Sequence, residues 1–205
     1  MGDSHDAMQD TGTVSNPAGE AVLGRLFEDL VRDGWLLGMN AGLDPAMARM
    51  DAETGVYNAA YFEAMTQEAV ADMERGREPR LGDGPERGAM AVLSVRVLDL
   101  DGLCAALGTD SSKMLREIAQ RLETCLRADD VLGRTKRDTF SLLLRGCPPT
   151  MLTRIARRCV QAVTEQPIII GDHEVRPRVM AAAAQWEWGS AADILAASWS
   201  AIGAA

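Results

Sequence analysis

The sequence of 205 residues predicts a mixed α/β (α+β) fold in which helices cover one central sheet. Two observations support this prediction: apolar runs of strand length alternate with segments whose apolar residues recur at helical spacing, and turn residues separate them. The chain is 47% apolar and 25% charged, with few aromatic residues, which is the composition of an ordinary globular protein. Its length suits one buried core plus an extension.

Three regions follow one another along the chain. Residues 1–18 are rich in Gly, Ser, Asp and Thr and show no apolar periodicity, so we predict a flexible tail. Residues 19–48 contain apolar residues at helical spacing, which predicts an amphipathic helix and a linker. This helix could pack on the main domain, pair with a second copy or contact a partner. We expect the main domain over residues 49–205, with a Gly- and Pro-rich loop at 75–89.

The main domain has an alternating order of predicted elements. Residues 51–62 form a turn that leads into a helix ending near Arg75, and the apolar run at 91–98 predicts a buried strand that contains Arg96. The later predicted elements are a helix at about 111–127, a hairpin with strands at 131–134 and 139–144, a helix at about 150–164, strands near 167–170 and 176–185, and a helix from about 190.

Composition excludes several classes of function. No apolar run approaches the roughly 20 residues that span a bilayer. The acidic start MGDSHDAMQD lacks the features of a signal peptide, so we expect a cytoplasmic protein with no membrane contact. The four cysteines are widely spaced and indicate neither a zinc site nor a disulfide framework. A formal net charge of −9 argues against nucleic-acid binding. Yet residues 113–159 contain eleven Lys and Arg against five Asp and Glu, a local charge of +6.

Three motifs occur in a characteristic order. The first is D-x-x-T-G-x-x-N-x-x-x-F, formed by Asp51, Thr54, Gly55, Asn58 and Phe62. The second is the stretch ADDVLGRTKRDTFSLLLRG, and the third is the closing segment ASWSAIGAA. Their order and spacing resemble the GGDEF domain of diguanylate cyclases, from residue 51 to the C-terminus. The resemblance implies a mostly antiparallel sheet flanked by helices, similar to the palm of nucleotidyl cyclases and polymerases.

The resemblance also implies that the catalytic signature has changed. The five positions of the signature are occupied by Lys136, Arg137, Asp138, Thr139 and Phe140. Only Asp138 and Phe140 match the family's residues at these positions. The family joins two GTP molecules into cyclic di-GMP with divalent metal held by carboxylates, one at the end of the first strand and one at the fourth signature place. Thr139 cannot replace a carboxylate. An alignment without gaps puts Arg96 at the place of the first-strand carboxylate. An alternative alignment would put Asp99 and Asp101 in this region instead. We therefore expect no cyclase activity, no metal and no other cofactor.

A second ligand site is implied five residues before the signature. There Arg127 and Asp130 form the R-x-x-D pattern that the family uses for product inhibition. An arginine can donate to guanine O6 and N7, and an aspartate can accept from N1 and N2. The family completes this site with an arginine eighteen residues after the signature phenylalanine, which is Arg158 here. Arg154 and Arg157 on the same helix are further candidates.

These features lead to one main hypothesis and two alternatives. The main hypothesis is a non-catalytic receptor that binds cyclic di-GMP and signals to a partner protein or through a homodimer. The first alternative is an adaptor on the same fold that binds no nucleotide and uses the N-terminal helix or the hairpin tip as its contact surface. The second is GTP retained as an allosteric ligand, with Lys113, Lys136 and Arg137 near its phosphates.

Overall fold

The computed structural model describes residues 47–75, 89–108, 111–187 and 189–203. The predicted tail, nearly all of the predicted N-terminal helix and the interior of the predicted loop at 75–89 lie outside these ranges. Among the helices of the described ranges, none is long and apolar enough to cross a membrane.

The described residues form seven strands and five α-helices. In chain order they are β1 (Tyr57–Asn58), α1 (Ala59–Glu74), β2 (Met90–Val97), α2 (Leu100–Leu107), α3 (Ser112–Glu123), β3 (Val131–Lys136), β4 (Thr139–Arg145), α4 (Pro149–Thr164), β5 (Ile168–Ile170), β6 (His173–Val175), β7 (Val179–Gln185) and α5 (Ala191–Gly203). A short 3₁₀-helix, Met47–Arg49, precedes them. The predicted alternation of strands and helices is confirmed.

Five strands form the central sheet in the order β1-β3-β4-β2-β7. Only the β1–β3 pair is parallel, while β3–β4, β4–β2 and β2–β7 are antiparallel. The mostly antiparallel sheet implied by the resemblance is thus confirmed. Strands β5 and β6 form a separate two-stranded hairpin.

The sheet is buried on both faces because alternate residues of its strands point to opposite sides. On β2, Ala91, Leu93 and Val95 pack in a core cluster with α3 and α4, whereas Met90 and Val92 pack with α1 and α5. This two-sided burial explains why β2 and β4 read as nearly continuous apolar runs in the sequence.

The structure corrects three predicted elements. The helix expected to reach residue 127 ends at Glu123. After Glu123 the backbone hydrogen bonds join residues three apart, as in a 3₁₀-helix, for example Leu126 N to Glu123 O at 3.0 Å. The strand expected to begin at residue 176 begins at Val179, since residues 173–175 pair with β5 instead. Helix α2 was not predicted; it starts after Asp99, whose left-handed φ of 53° turns the chain out of β2.

Gly133 allows α1 to lie directly on β3. A Cβ atom at this position would lie 2.7 Å from Cβ and Cδ2 of Phe62, which is fully buried. Only glycine permits this separation without moving an aromatic ring. The glycine of β3 and the phenylalanine of the first motif are therefore two halves of one packing contact.

We expect Gly133→Ala to lower the free energy of unfolding by about 1–3 kcal/mol, because the added methyl group overpacks the core. Urea denaturation measures this change. Gly203→Ala is the matched control, since no atom lies within 4 Å of a Cβ at that helical position. Equal stability of the Gly133→Ala variant and the wild type would contradict the packing assignment.

Candidate ligand-binding site and hairpin tip

The tip of the β3–β4 hairpin is attached to two neighbouring helices. Nζ of Lys136 lies 4.0 Å from the centre of the Trp199 ring on α5, a cation–π contact. Nη2 of Arg137 lies 2.5 Å from Oδ1 of Asp101 on α2, and both of these side chains are exposed. Each cation of the tip therefore has a partner.

A basic residue of β2 contacts the acidic residue of the hairpin tip. Arg96 lies opposite Thr139 in the β2–β4 ladder, and its Nε donates to Oδ2 of Asp138 at 2.8 Å. The Thr139 hydroxyl donates to Oδ1 of Asp138 at 2.8 Å. Burial would raise the pKa of Asp138, but these two partners outweigh it and hold the pKa below its ordinary value. Both oxygens of this carboxylate are thus engaged.

The two acidic residues after β2 have other roles. Asp99 occupies the left-handed turn that precedes α2, and Asp101 pairs with Arg137. Across residues 47–75, 89–108, 111–187 and 189–203, no group of three or more His, Cys, Asp and Glu side chains could hold a metal ion. Arg96, rather than either aspartate, is the residue that lies beside Thr139.

A buried arginine joins the first motif to the hairpin. Arg134 is 8% exposed, its Nη1 lies 3.1 Å from Oδ1 of Asp51 and also contacts Oε2 of Glu53, and its Nη2 donates to the Arg137 carbonyl at 2.7 Å. Burial would raise the pKa of Asp51, but hydrogen bonds from Thr54 and Arg134 outweigh it, so this pKa lies below its usual value. The motif residues thus neutralise a charge inside the fold.

Glu53, which departs from the family motif, extends this network to α3. Its Oε1 accepts from the Ser112 hydroxyl at 3.0 Å, and its carbonyl accepts from Nε and Nη2 of Arg116 at 3.2 and 3.0 Å. The loop that carries Glu53 is therefore fixed to both β3 and the first turns of α3.

The residues RADD form the turn between α3 and β3. Oδ2 of Asp130 accepts from the Arg127 backbone N–H at 2.9 Å, and the Asp130 N–H donates to the Arg127 carbonyl at 3.1 Å. Asp130 thereby stabilises the turn that presents the Arg127 side chain. Its other oxygen, Oδ1, accepts no hydrogen bond from the described residues.

Arg127 lies at a pocket of about 260 Å³ between this turn and α4. The pocket is lined by Arg127, Met151, Arg154, Ile155 and Arg158. Nη2 of Arg158 donates to the Cys125 carbonyl, which connects α4 to the turn. Within the described ranges, the guanidinium groups of Arg127 and Arg154 form neither a hydrogen bond nor an ion pair. The pocket therefore combines an apolar floor with cationic groups that form no ion pair with the residues that the structure describes.

The structure thus brings four of the five predicted ligand residues together. Arg127, Arg154 and Arg158 line the pocket, and Asp130 borders a smaller adjoining one with Arg127 and Arg158. Arg157, the fifth, lines neither pocket.

Sequence reasoning missed the apolar floor of the pocket, although the signal was present. Counting from Met151, helical spacing puts residues three, four and seven positions later on one face of α4, which are Arg154, Ile155 and Arg158. Arg157 falls outside this series. Arg145, which borders the smaller pocket, was also missed, because its position depends on the end of β4.

Comparison with known families identifies the fold. Residues 48–187 match the family model described as diguanylate cyclase, GGDEF domain. The chain belongs to the GGDEF family. No curated protein matches the sequence.

Solved GGDEF structures resemble this chain at low identity. The diguanylate cyclase SiaD, in complex with its activator SiaC from Pseudomonas aeruginosa, has 18% identity and a TM-score of 0.67 over 91% of this chain and 66% of that one. The GGDEF domain of PA1120 (TpbB or YfiN) from Pseudomonas aeruginosa has 24% identity and a TM-score of 0.66 over 76% and 87%. The GGDEF domain of DgcB from Caulobacter crescentus, in complex with c-di-GMP, has 13% identity and a TM-score of 0.67 over 77% and 86%. At these identities the likeness establishes the GGDEF fold alone.

We expect Asp51→Asn to lower the free energy of unfolding at neutral pH by about 1–3 kcal/mol, because the buried Arg134 loses an ionised hydrogen-bond partner. The folded pKa of Asp51 is depressed, so its contribution is present above the unfolded value of about 3.9 and disappears as pH falls through the folded pKa.

Denaturation between neutral and acid pH measures both effects in this GGDEF domain. The difference between wild type and Asp51→Asn should shrink below about pH 4. Asp172→Asn, in the exposed β5–β6 turn, is the control and should have nearly the stability of the wild type at neutral pH. A difference for Asp51→Asn that does not change with pH would contradict the ion-pair assignment.

Proposed function

We propose that this GGDEF domain is a non-catalytic receptor for cyclic di-GMP. The observation that supports the proposal is the pocket between the RADD turn and α4, where the guanidinium groups of Arg127 and Arg154 have no anionic partner in the described part of the chain. The ligand is an anion with two guanine bases, so it combines the two chemical features that this surface can recognise.

Guanine recognition is assigned to Arg127 and Asp130. The guanidinium of Arg127 can donate two parallel hydrogen bonds to O6 and N7 of a guanine. Oδ1 of Asp130 is free to accept from guanine N1–H or N2–H, since only Oδ2 is used by the turn. The turn holds the Asp130 carboxylate against the Arg127 backbone, which reduces the cost of ordering Asp130 on binding.

Phosphate recognition is assigned to Arg154 and Arg158 on α4. Both line the pocket, and both carry a planar charged group that matches a phosphodiester. Met151 and Ile155 supply an apolar floor on which a base or ribose can pack. Arg157 is omitted from the proposed site, because it does not line the pocket.

The lack of cyclase activity is proposed from the charges at the hairpin tip. Two-metal chemistry needs carboxylates that face the substrate, yet Asp138 already accepts from Arg96 and Thr139. The positive charge of Arg96 would repel Mg²⁺ at this place. Lys136 and Arg137 also replace the small residues that would let a triphosphate approach the backbone. The domain would therefore use no metal cofactor and act in the cytoplasm as a binding protein.

Two related structures accord with this proposal. The DgcB structure is described as a complex with c-di-GMP, and the SiaD structure as a complex with a protein activator. Proteins of similar fold thus include one that binds the dinucleotide and one that binds a protein, and a receptor would use the first to control the second.

The alternative is an adaptor that binds no nucleotide. It is favoured by one observation: Asp130 has a structural reason to be present, because it stabilises its own turn. In an adaptor the R-x-x-D pair would serve only that turn, and the N-terminal helix or the hairpin tip would contact a protein.

Isothermal calorimetry with cyclic di-GMP tests the receptor assignment. We expect Arg127→Ala to weaken binding about tenfold to a hundredfold, since a hydrogen bond to a charged group contributes about 1.5–3 kcal/mol. Arg157→Ala is the matched control on the same helix as Arg154 and Arg158 and should bind as the wild type does. Wild-type protein that releases no heat and gains no thermal stability from the ligand would refute the receptor proposal.

Asp130→Asn separates the structural role of this residue from the binding role. An amide oxygen can still accept from the Arg127 N–H, so the turn and the melting temperature should be kept. The carboxylate charge that guanine recognises is lost, so affinity should fall. Saturation at a hundred times the dissociation constant should raise wild-type stability by about 2.7 kcal/mol. Equal affinity of the Asn variant and the wild type would favour the adaptor.

We expect the purified chain to form no cyclic di-GMP from GTP and Mg²⁺. Chromatographic analysis of the reaction mixture measures this. The variant Thr139→Glu should also be inactive, because Arg96 still neutralises the tip. Accumulation of product by the wild type would contradict the proposed loss of catalysis.

A further inference from the structure

Strand β7 forms a long edge of the central sheet. It pairs with β2 through all seven of its residues, and within the described ranges no backbone hydrogen bond joins its other side. The opposite edge is β1, which has only two residues. Short edge strands protect a sheet from pairing with other chains, but a long one presents a row of free N–H and C=O groups.

Hydrogen bonds at the two ends of β7 show which residues point outwards. Trp186 N donates to Met90 O, and Leu98 N donates to Arg178 O, both at 2.8 Å. Hydrogen-bonded and non-hydrogen-bonded pairs alternate in an antiparallel ladder. The backbone N–H and C=O groups of the even-numbered residues between these ends therefore point towards β2. The outward backbone groups therefore belong to the odd-numbered residues, which are Val179, Ala181, Ala183 and Gln185.

The usual devices that block an open edge do not occur in β7. Its sequence, VMAAAAQ, contains no charge and no proline, and its pairing with β2 is continuous, without a bulge. Helices α4 and α5 contact it from the two sides of the sheet, yet all seven residues remain half-buried, unlike most of β2, which is fully buried.

We propose that β7 pairs antiparallel with β7 of a second copy of this chain, about a two-fold axis at Ala182. In this register Ala181 pairs with Ala183 of the second copy, and Val179 with Gln185. Every residue of these pairs has its backbone N–H and C=O groups on the open side of β7. The ladder between the two copies can therefore form while the ladder between β7 and β2 stays intact. The two five-stranded sheets become one sheet of ten strands.

The flanking helices favour a second copy as the occupant. Helices α4 and α5 contact β7 and, less extensively, β2, so each lies over this edge of the sheet on its own face. With strands about 4.8 Å apart, the same helix of a symmetry-related copy would lie beside it on the same face, at most about 10 Å away, which is within the distance at which helices pack. An isolated peptide strand would supply no such helices.

Cross-linking tests the register. Residue 182 would face its own copy in a non-hydrogen-bonded pair with Cα atoms about 4.5 Å apart, which a disulfide can bridge. We expect the full-length variant Ala182→Cys to form a covalent dimer with oxidised glutathione. The variant Met180→Cys, on the same strand, is the matched control; residue 180 would face residue 184 of the second copy, so it should not cross-link.

Sedimentation tests the edge itself. Ala181→Pro removes an outward N–H and keeps the ladder to β2, so the variant should stay folded by circular dichroism and sediment as a monomer. The wild type should sediment as a dimer. A monomeric wild type together with no covalent dimer of the Ala182→Cys variant, or a dimer unaffected by a folded Ala181→Pro variant, would overturn the proposal. A dimer that persists in the Ala181→Pro variant would use another surface.

Discussion

The antiparallel pairing of β2 with β4 determines where the chemistry of this domain can lie. The two strands are adjacent at the centre of the sheet and carry side chains of both core layers. Their register puts Arg96 opposite Thr139, and a shift of one residue would move every core side chain to the wrong face. The Arg96–Asp138 contact is therefore fixed by the core rather than by its own energy, which is small for a partly exposed pair.

The same pairing also positions the pocket, although no pocket residue lies in the middle of the sheet. β4 leads directly into α4, and β3 begins just after the RADD turn. Helices α3 and α4 share one core cluster on the same face of the sheet and contact each other, so the chain after α3 lies close to α4. The Arg158 contact to the Cys125 carbonyl completes this junction. The pocket is thus a consequence of packing two helices on one face.

Much of this arrangement could be predicted from the sequence. The fold class and the approximate location of most elements followed from periodicity, and the family followed from motif order. What failed was local: the last turn of α3 depends on backbone hydrogen bonds at Leu126, and β6 depends on pairing with β5. Arg157 was included because sequence distance alone does not distinguish faces of α4. Helical spacing from Met151 would have excluded it, but the importance of Met151 became visible only with the pocket.

The two groups of cations in the basic segment differ in how their charge is balanced. At the hairpin, Lys136, Arg137 and Arg134 contact an aromatic ring or carboxylates from elsewhere in the fold. At the pocket, the guanidinium groups of Arg127 and Arg154 form no ion pair with the described residues. Both residues are exposed, so neither has to give up a partner to receive an anion. An anion could bind at the pocket without displacing a partner, whereas a cation at the hairpin could enter only by displacing existing partners. The charge distribution of the fold therefore favours an anionic ligand at the RADD turn and disfavours metal at the tip.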